Sequence, residues 1–395
     1  MGFTDEEILF GDDAKKQEAI YPKNTVSGFK KLIGEGQTSE DRYFSAEICD
    51  REGRPAFAVQ YRKTEMEIYP EQLCAMMLRK MRALAESHLK CPVDAAVLSV
   101  PAYFSNAQRQ AIKTAADIAG IELLSIISEP AAVALAYRDS NRQITDETNL
   151  IVDIGGGGMS AALVSFRGQN VHVLNMAGDS EIGGRKFDLC LMDLLKEAMP
   201  EHAEALSESP KATEKLRASC EKLKKDLSLL PKATVQIANL TEEFDLQKSL
   251  NRTEFEELIS RSIEKKIPKM FDKLFEGSKY SYSDIDKVIF SGGFTRVPFI
   301  KQILKKKFGS HKMNKTVNPD EAVAHGASFL AAYLSGNKTE FEYDIKDVIL
   351  YEDNHSEKTY VYQFSPGVNK DVRISRKTVK IVYERGISKN RALTL

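Results

Sequence analysis

The chain has 395 residues, enough for two or three domains with full cores. Its 56 Lys and Arg nearly cancel 57 Asp and Glu, which argues against nucleic acid or a membrane surface as a partner. Five scattered cysteines (Cys49, Cys74, Cys91, Cys190, Cys220) form no CxxC pair, no apolar run is long enough for a bilayer, and the first residues lack the basic and apolar regions of a secretion signal, so a cytoplasmic protein with structural thiols is expected. After a short opening, Thr25 to Gly34 carries Lys30 and Lys31 among apolar residues, a pair that local sequence alone reads as solvated. Tyr43 to Arg62 predicts meandering strands about a Glu52-Gly53 turn. Pro70 starts a helix to about Leu89, with Leu73, Met77, Met81 and Leu84 on one face, expected to be core.

Asp94 to Val100 reads as a buried strand ending at Pro101. Ser105 caps the next helix and Gly120 stops it. A strand at Leu123–Ile127 leads into Ser128-Glu129-Pro130 and an Ala-rich helix, so strands and helices alternate as in an α/β sheet. The polar run Asp139 to Thr148 is a candidate boundary. Next comes Asn149-Leu-Ile-Val-Asp-Ile-Gly-Gly-Gly-Gly158, a β-run with Asp153 near its end, four glycines, and a second β-run from Ser160 to Phe166. Bare glycine amides can approach a phosphate, and a neighbouring carboxylate can hold Mg²⁺ through water. No Gly-Lys-Ser/Thr follows and no helix opens directly after, so the pattern reads as a phosphate-binding β-hairpin or as a glycine turn of structural use.

Further on, a strand at Asn170–Met176 and the Gly183-Gly184 turn precede a helix from Phe187 to about Met199. Lys211 to Leu227 predicts a charged helix with Leu216, Cys220, Leu223 and Leu227 inside, its charges forming a solvated face. Strands around Val235–Phe244 and a helix from Thr253 follow. Val288-Ile-Phe-Ser-Gly-Gly-Phe-Thr-Arg296 repeats the strand-plus-glycines theme, and two such stretches in one chain predict a nucleotide cleft. Asn318-Pro-Asp-Glu-Ala-Val-Ala-His-Gly-Ala327 starts a last helix in which His325 is expected to pack rather than ligate. After Asn337 the character turns to charged turns and β-rich runs.

Taken in order, Val100-Pro-Ala-Tyr-Phe, Ser128-Glu-Pro-Ala-Ala, Val152-Asp-Ile-Gly-Gly-Gly, Ile182-Gly-Gly, Gly292-Gly-Phe-Thr-Arg and Asn318-Pro-Asp-Glu-Ala-Val-Ala resemble the ATPase domain of the 70-kDa heat-shock (DnaK-type) chaperones, in register from about Phe3 to Gly336. The resemblance implies an α/β, actin-like fold of two lobes around a cleft for Mg-ATP or Mg-ADP. Residues 1–142 and 314–336 would form lobe I, 143–313 lobe II, 337–353 a linker and 354–395 a partial substrate-binding β-domain. It also implies roles by position. Lys30 would position the attacking water, with Glu129 and Asp153 at the metal and water site. Gly155, Gly156, Gly157, Gly158, Gly292 and Gly293 would face phosphate, with Gly184 near the ribose. Glu221, Lys224, Lys225 and Ser228 would grip the nucleoside from one helix face, with Phe294, Arg296 and Asp320 as further nucleotide contacts. Pro101 and Arg109 would couple nucleotide state to substrate binding.

Four departures temper the activity that the resemblance implies. The family's amino-terminal Asp-Leu-Gly-Thr-Thr loop has no counterpart, and its Gly-Gly-Gly-Thr-Phe-Asp reads Gly-Gly-Gly-Gly158-Met159-Ser160. Lys225 stands where Arg is usual, and Phe294 where a small Ser is usual. The expectation is therefore nucleotide binding with weak or lost hydrolysis, J-domain co-chaperones and nucleotide exchange factors as partners, and impaired capture of client proteins. The alternatives are an interaction module that works without nucleotide, an incomplete paralogue, and a sugar or acetate kinase on the same fold.

Overall fold

The computed structural model describes residues 1–34, 41–168, 170–241, 244–335, 345–353, 356–364, 371–374 and 377–380. The chain opens with β1 (Gly2–Phe3) paired to β2 (Ile8–Leu9), then helix α1 (Gly11–Glu18). An antiparallel meander follows: β3 (Glu47–Arg51), β4 (Arg54–Tyr61) and β5 (Thr64–Ile68). Glu52 and Gly53 both take positive φ in the β3–β4 turn, as a two-residue hairpin requires. Met1, Phe3, Val26, Leu32, Phe57, Val59, Ile68 and Leu73 close a small core here.

Helix α2 (Pro70–Leu89) packs on α3 (Asn106–Ala119), and α3 packs on the strand pair β6 (Ala95–Val100) and β7 (Glu122–Ser128), which run parallel. The helix limits follow local chemistry: the Ser105 hydroxyl accepts from the Gln108 N–H, and Gly120 ends α3 in the left-handed region. One expectation fails at α2. Leu73 is buried, but Met81 and Leu84 are each 58% exposed, so the apolar stripe is core only in its first two turns. The stripe runs past the end of what it packs on, because Leu78 is the last α2 residue joined to the Ala75–Ala115–Ile121 cluster.

Helix α4 (Glu129–Ser140) is capped by Ser128 and buried on every side from Pro130 to Arg138, which its Ala-rich sequence permits. It leads into the central hairpin, β8 (Asp146–Ile154) and β9 (Met159–Arg167), which continues antiparallel into β10 (Asn170–Asp179). Then come α5 (Gly184–Glu197), α6 (Ala203–Glu208) and α7 (Pro210–Leu229). The β11–β12 hairpin (Lys232–Thr241, Phe244–Asn251) and helices α8 (Arg252–Ile263) and α9 (Lys266–Phe275) follow. As predicted, Leu216, Cys220, Leu223 and Leu227 are the inner stripe of α7. Its charges are not all solvated: Glu214 and Lys224 are buried.

Strand β13 (Lys287–Ser291) lies parallel beside β8, with Ser291 opposite Asp153, so the two strand–glycine stretches end side by side. Helix α10 (Pro298–Phe308), β14 (Met313–Asn314) and α11 (Ala322–Leu334) follow, and α11 crosses α4. His325 is exposed on α11 instead of packed, its ring against Phe329. Strands β15 (Ile345–Asp353) and β16 (Ser356–Phe364) complete a seven-stranded sheet in the order β14-β13-β8-β9-β10-β15-β16. Most of the stretch read as linker therefore carries a strand. Strands β17 (Asp371–Ile374) and β18 (Lys377–Lys380) pair with each other, while the remainder of the Thr378–Gly386 stretch read as β-domain lies outside the described residues.

Candidate nucleotide cleft

The hairpin turn between β8 and β9 is Gly155 to Gly158, closed by the Gly155 N–H donating to the Gly158 carbonyl at 3.1 Å. Gly155, Gly156 and Gly157 avoid positive φ, and a methyl added to any of them would meet nothing within 4 Å. Neither backbone strain nor packing therefore calls for glycine at these three positions. What a side chain would fill is the cavity they face, about 1070 Å³ in volume.

Other elements bring charge to that cavity. Lys30 and Lys31 come from a single 3₁₀ turn, Phe29–Lys31, started by Gly28 at φ 70°. Lys30 Nζ sits 3.0 Å from Glu129 Oε1, so the first carboxylate of α4 and this ammonium meet across 99 residues of sequence. Asp153, at the end of β8, is buried beside them. Burial and then the facing Glu129 push its carboxyl up from 3.8 to about 7, against the pull of a bond from Ser291 and the charge of Lys30. Pro101 also lines the cavity, at the end of β6. Arg109 is buried on α3, its Nε donating to the Phe104 carbonyl at 3.4 Å, and it does not line the cavity.

The contribution of Asp153 to stability should therefore fall as pH rises from about 4 to 7, where the native state holds on this carboxyl a proton that the unfolded chain releases. In metal-free buffer, Asp153→Asn should melt several degrees above wild type at pH 8. The gap should narrow toward pH 5, and thermal melts across that range would check it.

Among the described residues no group of three or more His, Cys, Asp or Glu is placed to hold a metal alone. Two close carboxylates at a glycine turn nonetheless fit Mg²⁺ in its usual nucleotide role, held through water and shared with phosphates. Asp153 and Glu129 would hold it, and it would supply charge neutralisation.

The structure also brings forward contacts that local sequence does not show. Gly183 presses on the turn: a Cβ there would lie 2.6 Å from Gly158 N and 2.7 Å from the Gly156 carbonyl oxygen. Tyr103 fills the space beside Gly158, where a Cβ would meet its hydroxyl at 2.3 Å. Arg185, next to Gly184, donates to Ser27 Oγ at 2.7 Å and lies directly over Gly28. Together with Lys31–Glu181 at 3.1 Å, Lys15–Glu221 at 2.5 Å and Arg42–Asp193, it ties the first hundred residues to the α5–α7 region. The Val100-Pro-Ala-Tyr-Phe and Ile182-Gly-Gly motifs are visible in the sequence; the neighbours of Tyr103, Gly183 and Arg185 are not.

Of the residues assigned to the nucleotide, Glu221, Lys224, Lys225, Ser228, Phe294, Arg296 and Asp320 do not line the cavity, nor do Gly184 and the phosphate-assigned Gly292 and Gly293. Gly184 and Gly292 nevertheless adjoin it, a Cβ on Gly184 falling 3.6 Å from Gly156 Cα and one on Gly292 2.6 Å from Asp153 Oδ1. Lys224 donates to the Gly184 carbonyl at 2.9 Å and pairs with Asp188 at 2.7 Å. Glu221 is held by Lys15 and Lys225; burial opposes this, yet the two bonds keep its carboxyl at about 2. Ser228 donates to the Lys224 carbonyl, and Arg296 grips Asp320 through two bonds, at 3.0 and 2.6 Å.

A hairpin glycine turn facing a charged cavity, with a second strand–glycine end beside it in the same sheet, fits the actin-like class of α/β proteins. Sequence comparison narrows this: the Hsp70 protein family model matches residues 1–352, and the chain belongs to that family, with the actin-like fold of its ATPase domain. It is 37% identical over 345 residues to "Heat shock 70 kDa protein 2" of Paracoccidioides lutzii, covering 86% of this chain and 53% of that protein. It is 35% identical over 359 residues to a ribosome-associated molecular chaperone of Saccharomyces cerevisiae, covering 89% of this chain and 58% of that protein. The chain thus spans a little over half the length of these curated relatives.

Proposed function

We propose that this chain is a chaperone-family module that binds adenine nucleotide with Mg²⁺ and hydrolyses it weakly. The observation that carries the reading is the Gly155–Gly157 turn, glycine at three positions where only an approaching ligand would require it. In this reading Gly155 to Gly157 cradle phosphate and Lys30, oriented by Glu129, positions the attacking water. Asp153 and Glu129 hold the metal side, and Pro101 and Arg109 relay the state of the cleft.

Weak turnover is supported at the turn's far side. Ser160 stands where the family has a carboxylate, and its hydroxyl accepts from the Ala102 N–H at 3.0 Å, so it serves structure. Phosphoryl transfer rests on positioning and charge stabilisation, and each absent group lowers the rate. The same proposal includes the two-lobe division 1–142 with 314–336 and 143–313, then the linker and residues 354–395 as part of a substrate-binding β-domain. It also includes cytoplasmic action on client proteins with J-domain co-chaperones and exchange factors.

Calorimetric titration with Mg-ATP and Mg-ADP should show saturable binding, and single-turnover assays should show slow hydrolysis. Lys30→Ala should lower that single-turnover rate about a hundredfold with little change in affinity. Absence of binding by a cooperatively folded chain would reject the reading.

A further inference from the structure

Beside Gly184, next to the glycine turn, lies a stacked aromatic pair. Phe294 is 6% exposed and lies flat on the fully buried Phe187, with ring centroids 4.6 Å apart and planes within 5°. A methyl on Gly184 would come within 3.7 Å of the Phe294 ring, 3.6 Å of Gly156 Cα and 3.1 Å of Lys224 Nζ. Ring and ammonium therefore both crowd Gly184, beside the glycine turn. The two cationic groups near this pair are held within the protein: Lys224 by Asp188 and the Gly184 carbonyl, Arg296 by Asp320.

Purines are told apart by hydrogen bonds to their edges, and a site gains large discrimination only when its own polar groups would otherwise be left unpaired. Here none of those named groups waits for a base. The cavity itself is lined by the bare glycine turn and by Lys30, Lys31 and Lys186, which are ion-paired to Glu129 and Glu181 and carry the charge that suits a phosphate chain.

Resting on the nucleotide reading above, we propose that Phe294 makes this cleft indifferent to the base. The cavity takes the phosphate chain of a nucleoside triphosphate, the base stays outside, and inorganic tripolyphosphate is an equivalent ligand. Phe294 acts by occupying the nucleoside end, so it is a specificity-determining residue.

The test is competition for the unmodified chain among Mg-ATP, Mg-GTP, Mg-tripolyphosphate and adenosine, followed by calorimetry. ATP and GTP should bind within about threefold of each other, tripolyphosphate within about tenfold, and adenosine should not compete. An ATP preference over GTP of about a hundredfold, or competition by adenosine, overturns the inference and leaves the nucleotide reading intact. Binding of ATP without tripolyphosphate does the same, whereas failure of every ligand overturns both. Phe294→Ser should gain about tenfold preference for one purine, whereas a purely structural role would weaken all three phosphate ligands alike.

Discussion

Replacing Gly326 by alanine should unfold much of this protein. Gly326 lies where α11 crosses α4, and a Cβ there would sit 1.7 Å from the Ala132 carbonyl oxygen and 2.9 Å from Ala132 Cα. The obstacle is backbone, so no rotamer change relieves it. Nor can α4 retreat, since it is buried on every side from Pro130 to Arg138. Close-packed interiors resist even one methylene, and forcing two helices apart here should cost about 3–5 kcal/mol. Against a typical total of about 5–15 kcal/mol, that lowers the melting temperature steeply or removes soluble protein. Calorimetry and limited proteolysis would check it. Gly53→Ala is the control: it sits at φ 77° with nothing within 4 Å, and should cost only about 1 kcal/mol.

Gly156→Ala should do the reverse, leaving stability alone and removing binding. Its added methyl meets open space and its φ is ordinary, so the melt should not move. The methyl would stand in the cavity where phosphate oxygens approach the backbone, so nucleotide affinity should fall about a hundredfold. Calorimetric titration beside a thermal melt separates the two effects. Gly183→Ala should also lose binding, but with a lower melting temperature, because its Cβ strikes the turn backbone at 2.6 Å. Unchanged affinity in Gly156→Ala would mean that the turn does not face the ligand.

Much of the fold could be read in advance because it follows from neighbours in sequence. The Ser105 cap, the Gly120 stop, the Glu52-Gly53 turn and the 3.6-residue stripe of α7 are each decided within a few residues. The β8–β9 glycine hairpin was legible for the same reason. Two strand–glycine stretches 138 residues apart suggested one cleft, and the register of Ser291 against Asp153 brings them together.

Burial along α2 was misjudged because periodicity marks an apolar face without saying where its cover ends, so Met81 and Leu84 read as core and lie exposed. His325 was misread in the same way. The charged face of α7 hid Lys224, whose partner Asp188 lies on a different helix.

By itself, then, the sequence determined the elements, the glycine turn with its carboxylates, and the family. Helix caps, turns and phosphate cradles are local chemistry written in consecutive residues. The tertiary structure decided which groups face the cavity and which are spent on one another. Lys30 is turned toward Glu129, Arg185 toward Ser27, and Phe294 flat onto Phe187. Each of those choices depends on distances between segments some hundred residues or more apart, which only the packed fold sets.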